Sequence, residues 1–102
     1  MQFLVISRRL TDKFSKSDFE PIVPLEGARA RYLYSIGFTR QIWHRGDQPG
    51  ACQIVEADTL EEARSHLSTL PMAQAGMIEF DIIPLKPYAG FAPESVRQHS
   101  EG

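Results

Sequence analysis

Residues 38–57 read FTRQIWHRGDQPGACQIVEA and predict a β-hairpin in the middle of the chain. Residues 38–44 alternate in polarity and include Ile42 and Trp43, a pattern that is typical of a strand. The segment RGDQPG that follows contains the glycines, proline and aspartate of a strong turn signal. Residues 51–57 then predict the returning strand of the hairpin.

The N-terminal part of the chain predicts a strand followed by a helix. Residues 2–8 form a continuous apolar run with polar ends, which indicates a buried strand. Residues 11–18 are polar and predict a loop or a single helical turn. A helix is predicted over residues 25–36, because Gly37 stands where a C-terminal glycine ends a helix. The apolar residues of this helix have helical spacing, with Tyr32 expected in the core: Leu25, Ala28, Tyr32, Leu33 and Ile36.

The C-terminal part predicts a second helix and a last strand. Asp58 or Thr59 can cap the helix, since a glutamate follows either residue at the spacing of a capping box. The apolar stripe of the helix, and the proline expected to stop it, are Leu60, Ala63, Leu67, Leu70 and Pro71. The last strand, residues 77–83, alternates between two faces: Ile78, Phe80 and Ile82 on one, Glu79 and Asp81 on the other.

The resulting order of elements is β-α-β-β-α-β, the ferredoxin-like pattern. It predicts an α+β fold with a four-stranded antiparallel sheet and two helices on one face. We assign this domain to residues 1–87, and residues 88–102 to an extended tail whose end we expect to be mobile. The other sheet face needs cover, because a large exposed apolar face is an interaction surface. Face-to-face pairing of two sheets predicts a dimeric α+β barrel, so we expect a homodimer or a larger homo-oligomer. We also expect the two aromatic residues of the tail, Tyr88 and Phe91, to dock on a neighbouring subunit.

Composition limits the partners of this 102-residue chain. The formal net charge is −2, from 11 basic and 13 acidic residues without a basic run, which argues against nucleic acid. No apolar stretch approaches the roughly 20 residues of a membrane helix, and the N-terminus lacks the features of a signal peptide. Cys52 is the only cysteine, which fits a cytoplasmic location, and we expect it to be a small buried apolar residue.

The sequence contains no pattern that would hold a metal or a cofactor. The three histidines, His44, His66 and His99, have no metal-ligand spacing. There is no glycine-rich phosphate loop and no dinucleotide-binding fingerprint. We therefore expect a protein that works without a metal or a cofactor on a small-molecule substrate.

Short patterns spread along the chain carry a resemblance to a known family. They are Glu26 and Gly37 at the two ends of the first helix, RQIW at 40–43, DTLEEA at 58–63, LPM at 70–72 and MIEFDI at 77–82. Together these patterns, from about residue 4 to residue 87, look like the muconolactone Δ-isomerase family. The resemblance implies cofactor-free isomerisation of an unsaturated lactone with a carboxylate arm. It also implies a dimeric α+β barrel whose dimers gather into a larger ring.

Moving a double bond by proton transfer needs a base, stabilisation of the dienolate charge and a cation for the carboxylate arm. Glu26 matches the acidic position of the family and is the candidate base; alternatively it only complements the helix dipole at the surface. Arg40 is the candidate anchor, because its strand is otherwise apolar and aromatic. The alternative for Arg40 is an ion pair with Glu79 or Asp81 on the sheet.

Trp43 and His44 complete the predicted site. Trp43 would form a wall of the pocket, or alternatively pack in the core or a dimer interface. Family members often carry histidine where this chain has Gln41, so His44 is the candidate replacement for that imidazole. In a regular strand Arg40 and Ile42 share one face while Gln41 and Trp43 share the other. Arg40 and Trp43 can therefore enter one cleft only if a bulge intervenes.

Two other kinds of function fit the same fold. One is a cofactor-free monooxygenase or aromatic polyketide cyclase, whose pocket mainly orients a reactive substrate. The other is a non-catalytic domain that binds a small ligand. A carboxylate and an arginine inside one pocket favour the isomerase, and an apolar aromatic pocket favours the second class. Glu26 and Arg40 both solvated outside the cleft would favour the third.

Overall fold

The computed structural model describes residues 1–91, which form one antiparallel sheet with helices on one side. The strands are β1 (Gln2–Arg9), β2 (Thr39–His44), β3 (Ala51–Glu56) and β4 (Ile78–Pro84). The helices are α1 (Lys16–Phe19), α2 (Val23–Ser35), α3 (Leu60–Leu67) and α4 (Pro71–Gln74), followed by a 3₁₀ turn at Ala89–Phe91. The strand order is β2-β3-β1-β4. The predicted ferredoxin-like α+β fold is therefore confirmed.

The division into a domain at residues 1–87 and a tail at 88–102 stays a prediction. The last backbone hydrogen bond to the sheet runs from the Leu85 N–H to the Gln2 carbonyl, at 3.0 Å. Beyond it, the Tyr88 and Phe91 rings contact each other at 4.9 Å between centroids, and both are exposed. The expected mobility of residues 95–102 lies outside the described residues. No helix within residues 1–91 is long and apolar enough to cross a membrane.

The core lies between the helices and one face of the sheet. β1 and β3 alternate, so that Phe3, Val5 and Val55 face the helices and are at most 1% exposed. Leu33 of α2 and Leu67 of α3 pack against them from the other layer. Full burial of one such side chain contributes about 1.5–3 kcal/mol. The strand alternation predicted for residues 77–83 holds as well, since Glu79 and Asp81 are exposed on the other face.

The apolar stripe predicted for the first helix was wrong except at Leu33. Leu25, Tyr32 and Ile36 are about half exposed, at 57%, 48% and 47%, and only Leu33 is buried in α2. Tyr32 lies outside the core, with the Arg29 guanidinium 4.4 Å from its ring centroid. The physical reason is the rotation of the helix about its axis, since the α2 residues that face inward and line a cavity are, apart from Leu33, offset from the predicted stripe: Val23, Glu26, Gly27, Ala30 and Leu33.

The ends of the helices follow the predicted caps with one correction, at Pro71. Gly37 has φ 81° and follows α2, which confirms its place at the helix end because this region favours glycine. The Thr59 side chain accepts the Glu62 N–H at 3.1 Å and caps α3. Pro71 does more than stop a helix, because it begins the short helix α4. Residues 11–18 were predicted as a loop or one turn, and a capping box at Ser15 there starts α1.

A bulge in β2 changes which side chains share a face. Thr39 pairs with Val55 and Gln41 pairs with Ile54, so two residues of β2 lie opposite one of β3 and Arg40 is the extra residue. After the bulge, Ile42 pairs with Gln53 and faces the helices. The suggested ion pair of Arg40 with Glu79 or Asp81 was wrong within one chain. β2 and β4 lie at opposite edges of the sheet, and Arg8 takes Glu79 at 3.0 Å.

The sheet face away from the helices has no cover within residues 1–91. Its residues, assigned from the strand pairing, include Leu4, Ile6, Trp43, Ile54 and Ile83. Trp43 is 51% exposed and Ile83 is 43% exposed. Cys52 also lies on this face and is half-buried, so its expected full burial was wrong for the single chain.

Candidate functional site

A cavity of about 340 Å³ opens between α2, α4 and the helix-facing side of the sheet. Its volume is at the lower end of the range for small-molecule sites. The lining combines apolar side chains with a few polar ones, which are Ser7, Arg9, Glu26, Thr39, His44 and Gln53. Within residues 1–91, no cluster of three or more histidine, cysteine, aspartate or glutamate residues could hold a metal ion.

Glu26 brings a carboxylate into this cavity from the first turn of α2. One of its oxygens, Oε1, accepts the Met72 backbone N–H at 2.9 Å, which fixes the side chain against the start of α4. Burial raises the pKa of Glu26 above its usual 4.5, while the Met72 hydrogen bond and the charge of Arg9 act in the opposite direction. Among the residues that line the cavity in the described chain, Glu26 is the only carboxylate.

Arg9 brings a cation to the same cavity. It continues the helix-facing row of β1 after Ser7, and its pairing with Ile78 places it at the end of the strand. Its guanidinium carbon lies 5.5 Å from the centroid of the Phe19 ring. Its charge acts on Glu26, but within residues 1–91 it has no ion pair within 4.0 Å and no side-chain hydrogen bond. Its donors are therefore available to an anionic group.

Sequence reasoning missed Arg9 because the predicted strand ended at residue 8. The signal was present in the alternation of Phe3, Val5 and Ser7, since one further step of two residues puts Arg9 on the same face.

Thr39 and Gln53 place a polar pair in the wall of the cavity. The Thr39 hydroxyl donates to Oε1 of Gln53 at 3.1 Å, and both residues are buried. This pair was also missed from the sequence. The bulge at Arg40, which brings Thr39 into register with Val55, leaves no clear mark in the order of residues.

The turn between β2 and β3 closes the cavity beside Arg9. The Ser7 hydroxyl accepts the Ala51 N–H at 3.0 Å, and Gly50 lies directly against the Ser7 carbonyl. Arg45 donates to the same carbonyl at 3.3 Å. Its side chain also pairs with Asp47 at 2.7 Å, and this ion pair lowers the pKa of Asp47 to about 2.

The structure brings three of the four predicted site residues to one cavity. Glu26, Trp43 and His44 line it, and His44 shares the face of Ile42 because it pairs with Ala51. Trp43 pairs with Cys52, so its indole belongs to the uncovered face although the residue borders the cavity. Arg40 is exposed and does not line the cavity.

Comparison with solved structures identifies proteins that share the fold of this chain. No protein-family profile and no curated protein sequence matches the chain. The structure is similar to muconolactone isomerase, with a TM-score of 0.71 and 17% identity over 86% of this chain and 91% of that one. It is also similar to 5-chloro-2-hydroxyhydroquinone dehydrochlorinase from Burkholderia phenoliruptrix AC1100, solved with 2,5-dihydroxybenzoquinone, with a TM-score of 0.63 and 18% identity over 84% and 94%. The resemblance predicted from the sequence is thus confirmed for the fold.

Proposed function

We propose that this protein is a cofactor-independent isomerase that moves a double bond by proton transfer in a small unsaturated lactone or a related anionic carbonyl compound. The observation that carries the proposal is the position of Glu26. It lines the cavity, burial raises its pKa, and Arg9 stands nearby without an ion-pair partner among the described residues. The fold is similar to that of muconolactone isomerase, and the same reaction class is proposed from that similarity by analogy only, with the site as the main argument.

The proposed reaction uses only groups of this chain. Ionised Glu26 removes a proton from the γ carbon, the saturated carbon at the far end of the conjugated C=C–C=O system, and the C–H electron pair moves into that system. The negative charge collects on the carbonyl oxygen as a dienolate. Protonated Glu26 then returns the proton to a different carbon of the same system. The double bond has moved, no atom has been gained or lost, and no oxidant or reductant is needed.

The two alternative functions do not require a carboxylate and a guanidinium inside the cavity. An oxygenase or cyclase that only orients a reactive substrate has no need of a carboxylate and a guanidinium in its pocket. A non-catalytic binding domain would tolerate both groups in water, whereas Glu26 is half-buried. We therefore favour the isomerase, with Trp43 and His44 at the border of the substrate cavity.

The test is deuterium exchange into a butenolide carboxylate in D₂O, followed by proton NMR. We expect the wild-type protein to catalyse incorporation at the carbon that loses its proton, even if this compound is not the natural substrate. No exchange above the buffer rate, with folded protein at high concentration, would contradict the proposed function.

We predict that Arg9 binds the anionic group of the substrate. A substitution at Arg40, the candidate from the sequence, serves as the control. Because Arg9→Met removes an ionic hydrogen bond made in both the ground and transition states, KM should rise roughly tenfold to a hundredfold with little change in kcat. Arg40→Met removes a charge of the same kind from outside the cavity and should leave KM unchanged. Steady-state kinetics on the butenolide carboxylate separate the two. A rise in KM for Arg40→Met alone would restore Arg40 as the anchor.

We also propose that the uncovered sheet face joins two copies of the chain. It carries half-exposed Trp43 and Ile83, and burying such a face is the usual way to remove an apolar surface from water. Light scattering at micromolar concentration should give a dimer or a larger closed oligomer. Trp43→Glu should shift the mass towards the monomer, whereas Tyr34→Glu, at an aromatic on α2 that is at least as exposed, should not. A monomeric wild-type protein would contradict this prediction.

A further inference from the structure

The Gln53 carboxamide belongs to a buried residue, and within residues 1–91 its oxygen has a hydrogen-bond partner whereas its nitrogen has none. It is 5% exposed, and its Oε1 accepts the Thr39 hydroxyl. Its Nε2 has no hydrogen-bond acceptor among residues 1–91. No fully enclosed side-chain nitrogen or oxygen in this part of the chain lacks a partner, so Nε2 must reach open space. Because Gln53 faces the helices and lines the cavity, that space is the cavity.

Gln53 as a residue is buried, but its amide nitrogen opens into the cavity and has no acceptor among residues 1–91, which indicates a place for one. Buried donors are almost always satisfied, by protein, water or ligand. Since the Thr39 hydroxyl occupies the amide oxygen, it orients the group and turns the N–H donors to the cavity. We infer that Gln53, oriented by Thr39, donates a hydrogen bond to a carbonyl oxygen of the substrate at the inner wall of the cavity. The inference rests on the proposed function only in placing the substrate there.

The positions of Gln53 and Arg9 define the substrate class more closely. Gln53 pairs with Val5 of β1, four residues before Arg9 on the same face of the strand. Four residues of strand span about 13 Å at the backbone, which two long side chains and one small ring can bridge. The site thus selects a compact molecule with an anion at one end and a neutral acceptor oxygen at the other. In the proposed reaction this oxygen carries the dienolate charge.

Two saturated ring compounds, which have no double bond to move, test the Gln53 amide donor without relying on catalysis. The probes are 3-oxocyclopentane-1-carboxylate and cyclopentanecarboxylate, which share ring and carboxylate but differ in the carbonyl oxygen. We expect NMR titration to show that wild-type protein binds the oxo acid roughly threefold to tenfold more tightly, the range for one hydrogen bond to a neutral group. Gln53→Met keeps the side-chain length, lacks the donor and should bind both probes equally. Gln41→Met, the matched change on the other sheet face, should keep the preference.

Thr39→Val tests whether Thr39 orients the Gln53 carboxamide or only packs in the cavity wall. It keeps the shape of Thr39 but frees the carboxamide to rotate, so the preference for the oxo acid should shrink while the affinity for cyclopentanecarboxylate is kept. A merely structural role would weaken both probes alike. If Gln53→Met does not fold, the probe preference of Thr39→Val tests the inference in its place. Wild-type protein that binds both probes equally, or binds neither, overturns the inference, as does an unchanged preference in Thr39→Val. The two proposals fail separately: wild-type protein that prefers the oxo acid but shows no deuterium exchange contradicts only the isomerase, and wild-type protein that exchanges deuterium without this preference contradicts only the Gln53 site.

Discussion

Glu26→Gln should abolish deuterium exchange into the butenolide carboxylate while leaving the protein folded. General-base catalysis contributes typically 10²–10⁴-fold, so we expect the exchange rate to fall by about that factor. The amide cannot accept the proton, but its oxygen can still accept the Met72 N–H that holds the side chain in place. Binding of the substrate should therefore change little, and the loss should appear in turnover.

The pH dependence gives this prediction a second measurement. Burial raises the pKa of Glu26 above 4.5, so the wild-type exchange rate should rise with pH through a midpoint above that value as the base ionises. The same shift acts on stability. A raised carboxyl pKa favours the folded state below 4.5, and this contribution is lost as pH rises through the folded pKa. Glu26→Gln carries no charge to desolvate, so it should gain stability relative to wild type between low and neutral pH.

The matched control for Glu26 is Glu61, another glutamate in the first turn of a helix. Glu61 is exposed and lies outside the cavity. Glu61→Gln should keep both the exchange rate and its pH profile. If Glu26→Gln exchanges deuterium as fast as wild type does, Glu26 is a structural carboxylate and the proposed base is wrong.

The sequence was sufficient for the fold because its signals were local. The hairpin at residues 38–57, Gly37, the Thr59 cap and the alternation of the last strand each depend on a few neighbouring residues, and each is found in the structure. Taken in order, they allow few topologies other than the ferredoxin-like one. The first helix was harder, because Leu25, Tyr32 and Ile36 have core-like spacing yet lie outside the core.

The candidate site was only partly predictable, because it depends on register between distant strands. Glu26 and His44 stand in patterns that the sequence displays, and both line the cavity. Arg9, Thr39 and Gln53 come together only once the β2 bulge and the pairing of β3 with β1 are known. Arg40 was a reasonable candidate from its apolar surroundings. The single extra residue of the bulge is what removes it from the regular alternation.

Gly50→Ala should be the most damaging change to stability in the hairpin. A Cβ at this position would overlap the Ser7 carbonyl oxygen, and φ of 153° is a conformation that side chains rarely adopt. Backbone strain of this kind costs about 1–3 kcal/mol, and overlap with a fixed backbone oxygen adds to it. We expect a loss of about 3 kcal/mol or more, which lowers the thermal midpoint by roughly 12 °C or more for a domain of this size.

The damage should reach the cavity, because relief of the overlap requires the start of β3 to move away from Ser7. That movement lengthens the bond from the Ala51 N–H to the Ser7 hydroxyl, in the wall beside Arg9. Gly46→Ala is the matched control, since a Cβ there meets no atom within 4 Å. Thermal unfolding by circular dichroism should separate the two variants clearly, with Gly46→Ala close to wild type. Equal midpoints for both variants would mean that β1 and β3 tolerate a wider gap at Ser7, and the cavity wall would then be less rigid than its hydrogen bonds indicate.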